Sequence, residues 1–312
     1  MLGASGYAGR ELCALVNAHP RLELVFATAN AQRGEHARLG GRDVRFVATD
    51  DAAIDSAELV FSSLPHGASA DWVQRVRSHG IRAIDLSSDL RPGHTTEAIP
   101  YGLTEVARDT LRGAEVIANP GCYPTAILLS LVPLLARNLV RRGSAIVVDA
   151  ASGVTGAGNS PKPELLFGEV TENYRAYGVG NEHRHLPEMR ALVNGYGADA
   201  DLLFTPHLLP VARGILATTT VQLEREVDAP LALWRTHFAG EPFVEVSEQL
   251  PALRDVLHRN AVRITVREAK GMRVPTLVIL AAIDNLVKGA AGQAMQNANV
   301  ALGIPEQTGL PL

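Results

Sequence analysis

The stretch IANPGCYPTAILLSLVPLL, residues 117–135, sets one cysteine between a turn and an apolar run. Asn119-Pro120-Gly121 is turn chemistry, because Pro fixes φ and Gly accepts conformations that other residues avoid. From Pro124 through Leu135 the chain is apolar enough for a buried helix, with proline tolerated in its first turn. Cys122 then sits just before a helix N-terminus, where aligned peptide dipoles favour a thiolate. Thiol pKa values fall from about 8.5 to as low as roughly 3.5 in extreme cases. The same position equally suits a small buried apolar residue. A thiolate nucleophile needs a group that moves protons near neutral pH, and histidine suits that best. Among ten histidines the densest pairing is GNEHRHLPEM, where His183 and His185 flank Arg184. On an extended segment, alternation would put both imidazoles on one side. An exposed polar loop is the other reading, and no third ligand with recognised spacing follows, so no metal site is expected. His207 in FTPHLLPVARG and His66 in SSLPHGAS stand at strand-to-loop junctions, lining a cleft or satisfying loop backbone.

Gly3, Gly6 and Gly9 open the chain in MLGASGYAGRELCALV, followed at once by an amphipathic pattern. Glycines let a phosphate approach the backbone, and a helix N-terminus supplies N–H donors and positive potential. Such a loop follows a strand, yet only Met1 and Leu2 precede it. After the next apolar run, FATANAQRGEHAR carries Asn30 and Arg33 where a ribose-binding carboxylate would stand, with Glu35 further on. That favours a 2′-phosphate, hence NADP over NAD. Cys13 falls among Leu12, Leu15 and Val16 and reads as core. AIDLSSDLRPG puts Asp85, Ser87, Ser88, Asp89 and Arg91 at a strand's carboxyl end, where doubly wound folds bind ligands. Arg91 suits an anion clamp or an ordinary surface role. The Gly/Ser/Thr-rich loop Ala151 to Lys162 cradles an anion or merely connects.

Elements that position these residues alternate in the first third of the chain. Strands are expected at Leu22–Ala27, Leu59–Ser62, Ala83–Leu86 and Val116–Ala118, with helices at Gly9–Ala18 and Ala68–His79. This is the pattern of a doubly wound α/β domain. Beyond Cys122 the runs Ala145–Ala150, Leu202–Thr205, Ile215–Glu224, Ala261–Glu268 and Thr276–Ile283 read as strands with few helices between. They suit an α+β domain on an antiparallel or mixed sheet, and Asn285 to Asn299 reads as a closing helix. The expected division is residues 1–118 plus 286–312 for dinucleotide binding and 119–285 for catalysis.

The chain has 312 residues, 46% hydrophobic and 20% charged, with a net charge of -4. Nothing there calls for nucleic acid as a partner. No apolar run is long enough to span a bilayer, and the start lacks a signal-peptide layout. Two cysteines argue against a disulfide scaffold and for a reducing compartment, so a soluble cytoplasmic protein is expected.

The segments GASGYAGRELCALV, SLPHG, DLSSDLR, YGLTEV, NPGCYPTA, SGVTGAG, HRHLPEM, FTPHLLPVARG and DNLVKGAAGQAMQN together resemble the N-acetyl-gamma-glutamyl-phosphate reductases of arginine biosynthesis, in order along nearly the whole chain. The short start is the one departure from that pattern. The resemblance implies a Rossmann-like NADP(H)-binding domain joined to an α+β catalytic and dimerisation domain with a mixed sheet. It implies an NADPH-dependent reduction of an acyl phosphate to an aldehyde through a cysteine thioester. Cys122 matches the nucleophile and His185 the acid/base. His183 is a substrate contact and the fallback base, and Arg91 matches a phosphoryl-binding position. Asn119, Arg184 and His207 join the substrate set. Cofactor contacts carry over to Gly3, Ser5, Gly6, Tyr7, Gly9, Arg33, Pro65, Ser152, Gly153 and Asn285, the last closing over the nicotinamide. A homodimer or homotetramer is implied. The rival enzyme is an aminoadipyl-phosphate reductase of the lysine branch, since one methylene is worth only about 1–3 kcal/mol in a pocket. A rival of another class is a non-catalytic NADP-binding module.

Overall fold

Short β-branched and apolar runs between turns form strands, whereas longer apolar runs form helices covered on every side. The computed structural model describes residues 1–312. The chain forms two compact units, Met1–Gly121 with Leu286–Pro311, and Cys122–Asn285 with Leu312.

In the first unit, α1 (Tyr7–Ala18) follows the glycine loop. A hairpin of β1 (His36–Leu39) and β2 (Arg42–Arg45) comes next. Its two-residue turn, Gly40-Gly41, has φ of 57° and 80°, the positive values that hairpin turns of this length require. Then come β3 (Leu59–Ser62), α2 (Ser69–Ser78), β4 (Arg82–Asp85), α3 (Thr104–Leu111) and β5 (Val116–Ala118). The three strands β3-β4-β5 pair in parallel, and Leu2 adds a parallel bridge to Ser62. The strand expected at Leu22–Ala27 is not formed. Phe26 and Thr28 bond to Met1, and Ala27 bonds to Val47 on its other side. Leu22 to Val25 have no paired neighbour, and without a ladder an alternating sequence is extended chain rather than strand.

The second unit begins with α4 (Cys122–Leu135), whose residues after Cys122 are all buried. Next are β6 (Ser144–Gly153), the short α5 (Phe167–Val170), β7 (Arg175–Ala176), α6 (Leu186–Gly195), β8 (Ala200–Leu209) and β9 (Ile215–Gln222). The unit closes with α7 (Pro230–His237), β10 (Val244–Val246), β11 (Val262–Glu268) and β12 (Thr276–Ile283). Seven strands form one mixed sheet in the order β10-β11-β12-β9-β6-β8-β7. Within it β6 pairs with β8 in parallel and with β9 antiparallel. The helix α4 packs on β9 and β12. Helices α6 and α7 are additions to the few expected here.

The chain returns to the first unit through a π turn, Val287–Ala291, and α8 (Gly292–Ala301). This tail carries five polar side chains, yet every residue but Ala290 is buried. Gln293 donates to the Gly102 carbonyl and to Thr104, and Asn297 to the Gly102 carbonyl and to Asn119. These donated bonds offset the desolvation cost of the two amide nitrogens, while the Gln293 amide oxygen is buried without a partner.

Candidate active site

Cys122 is the first residue of α4 rather than the residue before it. It is partly exposed, and no acidic side chain occupies the first turn to compete for the helix's positive end. Cys122 opens into a cavity of about 350 Å³ whose wall also holds Ser152, Gly153, His183, Arg184 and His185. The structure thus gathers six of the expected site residues around one space.

The histidine pair lies in a turn, not on an extended segment, and His185 is the residue just before α6. The turn still sets the rings together, with centroids 4.8 Å apart. The His185 backbone N–H donates to Nδ1 of His183 at 3.1 Å, which places the His183 ring proton on Nε2. Burial first, and the Arg184 charge second, push the His183 pKa down to about 4. His183 is therefore neutral at physiological pH. Its folded value lies below the unfolded one, so its contribution to stability is complete above about 6.5. That contribution is lost progressively as pH falls from there toward 4. An NMR titration of the His183 ring is expected to give a midpoint near 4. A midpoint near 6.5 would contradict this packing.

Tyr123 and Tyr177 complete the wall and were not singled out from sequence. The Tyr123 hydroxyl donates to the His207 carbonyl, and Tyr177 donates to the Tyr123 oxygen, both at 3.2 Å. Burial above all pushes Tyr177 up to about 12, so the hydroxyl stays protonated. The signal was in NYRAY, residues 173–177, whose alternate residues face inward when extended. His207 is not part of the wall. Its ring stacks on Tyr174 at 5.1 Å, and its carbonyl braces Tyr123.

Ser152 and Gly153 end β6. A Cβ on Gly153 would sit 2.8 Å from the Ala212 backbone, so this close approach requires glycine. Asn285 is also outside the wall. Its oxygen accepts the Gly214 N–H at 2.8 Å and its amide nitrogen donates to Thr155 at 3.0 Å, tying together the loops beside the cavity.

In the first unit, Arg91 is 3% exposed and donates to the carbonyls of Asn119 and Leu86. Asn119 is equally buried, donating to the Ala290 carbonyl and accepting from Asn297. Asp85 accepts from Ser69 and Ser87, while Asp89 accepts three N–H groups at the start of α2, so both carboxylates serve the fold. Pro65 lies on the turn after β3, and Arg33 is exposed.

The glycine loop has the shape an anion needs. Gly3 has a φ of 71°, and its Cβ would meet the Ser63 carbonyl at 2.5 Å. A Cβ on Gly9 would lie 2.3 Å from the Gly3 carbonyl, whereas Gly6 faces open space. Gly6 immediately precedes α1 with no side-chain cap, and no acid stands in the first turn, leaving the helix's first N–H groups for a phosphate. These residues fit a dinucleotide. Gly9→Ala is expected to weaken NADP binding at least ~10-fold, read by equilibrium titration, because a methyl there displaces the loop backbone. Unchanged affinity would separate the loop from the cofactor.

The family model described as semialdehyde dehydrogenase, NAD binding domain, matches residues 1–114. The one described as semialdehyde dehydrogenase, dimerisation domain, matches residues 122–285. The N-acetyl-gamma-glutamyl-phosphate reductase of Laribacter hongkongensis is 39% identical, over 100% of this chain and 97% of its own length. The chain belongs to the N-acetyl-gamma-glutamyl-phosphate reductases of the semialdehyde dehydrogenase family. The family fold extends to aspartate semialdehyde dehydrogenase II of Vibrio cholerae, solved as a complex with ASA. That chain has a TM-score of 0.77 at 20% identity, covering 96% of each chain. The aspartate semialdehyde dehydrogenase of Candida albicans, solved with NADP, has a TM-score of 0.69 at 15% identity, again over 96% of each chain. No helix is long and apolar enough to cross a membrane.

Proposed function

We propose that this protein is an NADPH-dependent N-acetyl-gamma-glutamyl-phosphate reductase, reducing N-acetyl-L-glutamyl 5-phosphate to N-acetyl-L-glutamate 5-semialdehyde in arginine biosynthesis. The observation that carries this reading is the opening of Cys122, at a helix start, into one cavity with His183 and His185, in a chain whose full-length relatives bear that name.

Cys122 attacks the acyl carbon as the thiolate. A carbon–sulfur bond forms, the carbon–oxygen bond to phosphate breaks, and inorganic phosphate leaves with the electron pair, giving a thioester. His185 holds and moves the proton at the substrate oxygen as charge builds and collapses there. His183, neutral with its proton on Nε2, offers that N–H as a donor to the substrate. NADPH, when bound, supplies the hydride that takes the thioester carbon to the aldehyde level. Gly3, Ser5, Gly6, Tyr7 and Gly9 would hold its pyrophosphate, and Arg33 its 2′-phosphate. Release of the Cys122 thiolate then frees the aldehyde. The match to a dimerisation model supports a homodimer or homotetramer. A thiol in this role suits the reducing conditions of the cytoplasm.

The test runs the reaction backwards with N-acetyl-glutamate semialdehyde, inorganic phosphate and NADP. NADPH formation that requires phosphate is the expected result. Turnover confined to aspartate semialdehyde, or to a one-carbon-longer aldehyde, would overturn the substrate assignment.

A further inference from the structure

We propose that Arg175 is the group that holds the substrate's α-carboxylate, with Lys162 as a second cation on the same wall. This assignment rests on the proposed reaction, whose substrate carries one anion at the reacting phosphate and another at the far end. The Cys122 cavity is lined by both cations.

Arg175 is placed by its strand. It pairs with Leu208 across β7 and β8, and the Tyr177 N–H continues the ladder to the Pro206 carbonyl. Two residues apart on extended chain, Arg175 and Tyr177 project to the same face. Their burial shows it: both are half-buried, whereas Tyr174 and Ala176 are exposed. Tyr177 is held in turn by its bond to Tyr123 and lies 5.6 Å from the His183 ring. The guanidinium therefore faces the same space as the reacting groups.

Its charge has no counter-ion. Arg108, Arg213 and Arg263, similarly sheltered, stand against Glu306, Asp284 and Asp255. Arg175 makes one hydrogen bond, donated to the Glu164 carbonyl at 3.1 Å. That bond fixes the plane of the fork while leaving its remaining N–H groups available for a two-point grip on a carboxylate. Sheltering an unpaired cation costs desolvation free energy, which a ligand carboxylate offsets on binding.

The experiment compares two aldehydes, N-acetyl-glutamate semialdehyde and 4-acetamidobutanal, which is the same molecule without its α-carboxylate. Both are followed with phosphate and NADP in the parent protein, Arg175→Met and Arg175→Lys. The methionine variant is expected to lose about 100-fold in kcat/KM on the carboxylated aldehyde, mainly through KM. It should lose less than about 3-fold on 4-acetamidobutanal, and the lysine variant should recover part of the loss. Equal losses on both aldehydes, or a loss confined to kcat, would overturn the assignment while leaving the proposed reaction intact. A parent protein that turns over neither aldehyde would overturn the reaction, and this assignment with it.

Discussion

Lys288→Met is expected to destabilise the first unit by about 3–5 kcal/mol, seen as a lower urea midpoint. Lys288 and Glu105 are both fully buried, their charged atoms 2.5 Å apart. Lys288 also donates to Gln296, and Gln296 donates to Glu105 and Glu306. Burial alone would raise the Glu105 pKa, but the Lys288 charge and its hydrogen bond outweigh it and hold the carboxyl below its usual range. Methionine fills the volume and removes the charge, stranding a buried carboxylate. Adding Glu105→Leu should therefore recover most of the loss, since an apolar pair of similar size suits a buried site. The pH dependence gives a second reading with a definite sign. In the parent, the folded pKa is depressed, so the pair's contribution is complete above the unfolded carboxylate pKa and is lost as pH falls through the folded one. In Lys288→Met, the unpaired carboxyl titrates above its unfolded value, so the stability deficit should shrink as pH falls. A deficit of less than 1 kcal/mol would mean that the pair is solvated and the tail is held by other contacts.

That tail shows where sequence and structure part. The segment 287–299 carries Lys288, two glutamines and two asparagines besides its apolar positions, a composition that elsewhere marks a solvated face. Here Glu105, Thr104, Gly102 and Asn119 supply partners from distant parts of the chain, which no local pattern records. In contrast, β9 reads directly as a strand, because it is rich in β-branched residues (Ile215, Thr218, Thr219, Thr220 and Val221), and its burial alternates residue by residue. The mixed sheet was legible for that reason, as was α4, which is apolar all round. Leu22–Ala27 has the same kind of pattern but lacks a partner for most of its length. β7 is two residues long and carries no periodicity, so Arg175 and Tyr177 stayed hidden although both line the cavity. The chemistry was easier to read than its supports. Asn119-Pro120-Gly121 marks a turn at Cys122, and two histidines around one residue stay close in a turn as well as on a strand. Arg91 was singled out by its place at a strand's carboxyl end, Asn119 and Asn285 by resemblance, and the polar atoms of all three bond within the protein.

Cys122→Ser is expected to abolish turnover, with a loss on the order of 10⁴-fold or more. The substitution keeps the size and the helix start, replacing only the sulfur nucleophile by a hydroxyl, which is far weaker in that role. Tyr123, Tyr177 and His183 pack around the same cavity through contacts that do not use the sulfur, so the variant should fold and should bind NADP with the parent's affinity. Unchanged NADP binding in the variant separates a lost nucleophile from a lost fold. The decisive measurement is NADPH formation from N-acetyl-glutamate semialdehyde, phosphate and NADP by parent and variant side by side. The account predicts phosphate-dependent NADPH formation by the parent and none by the serine variant. A serine variant within tenfold of the parent would contradict a covalent path through Cys122.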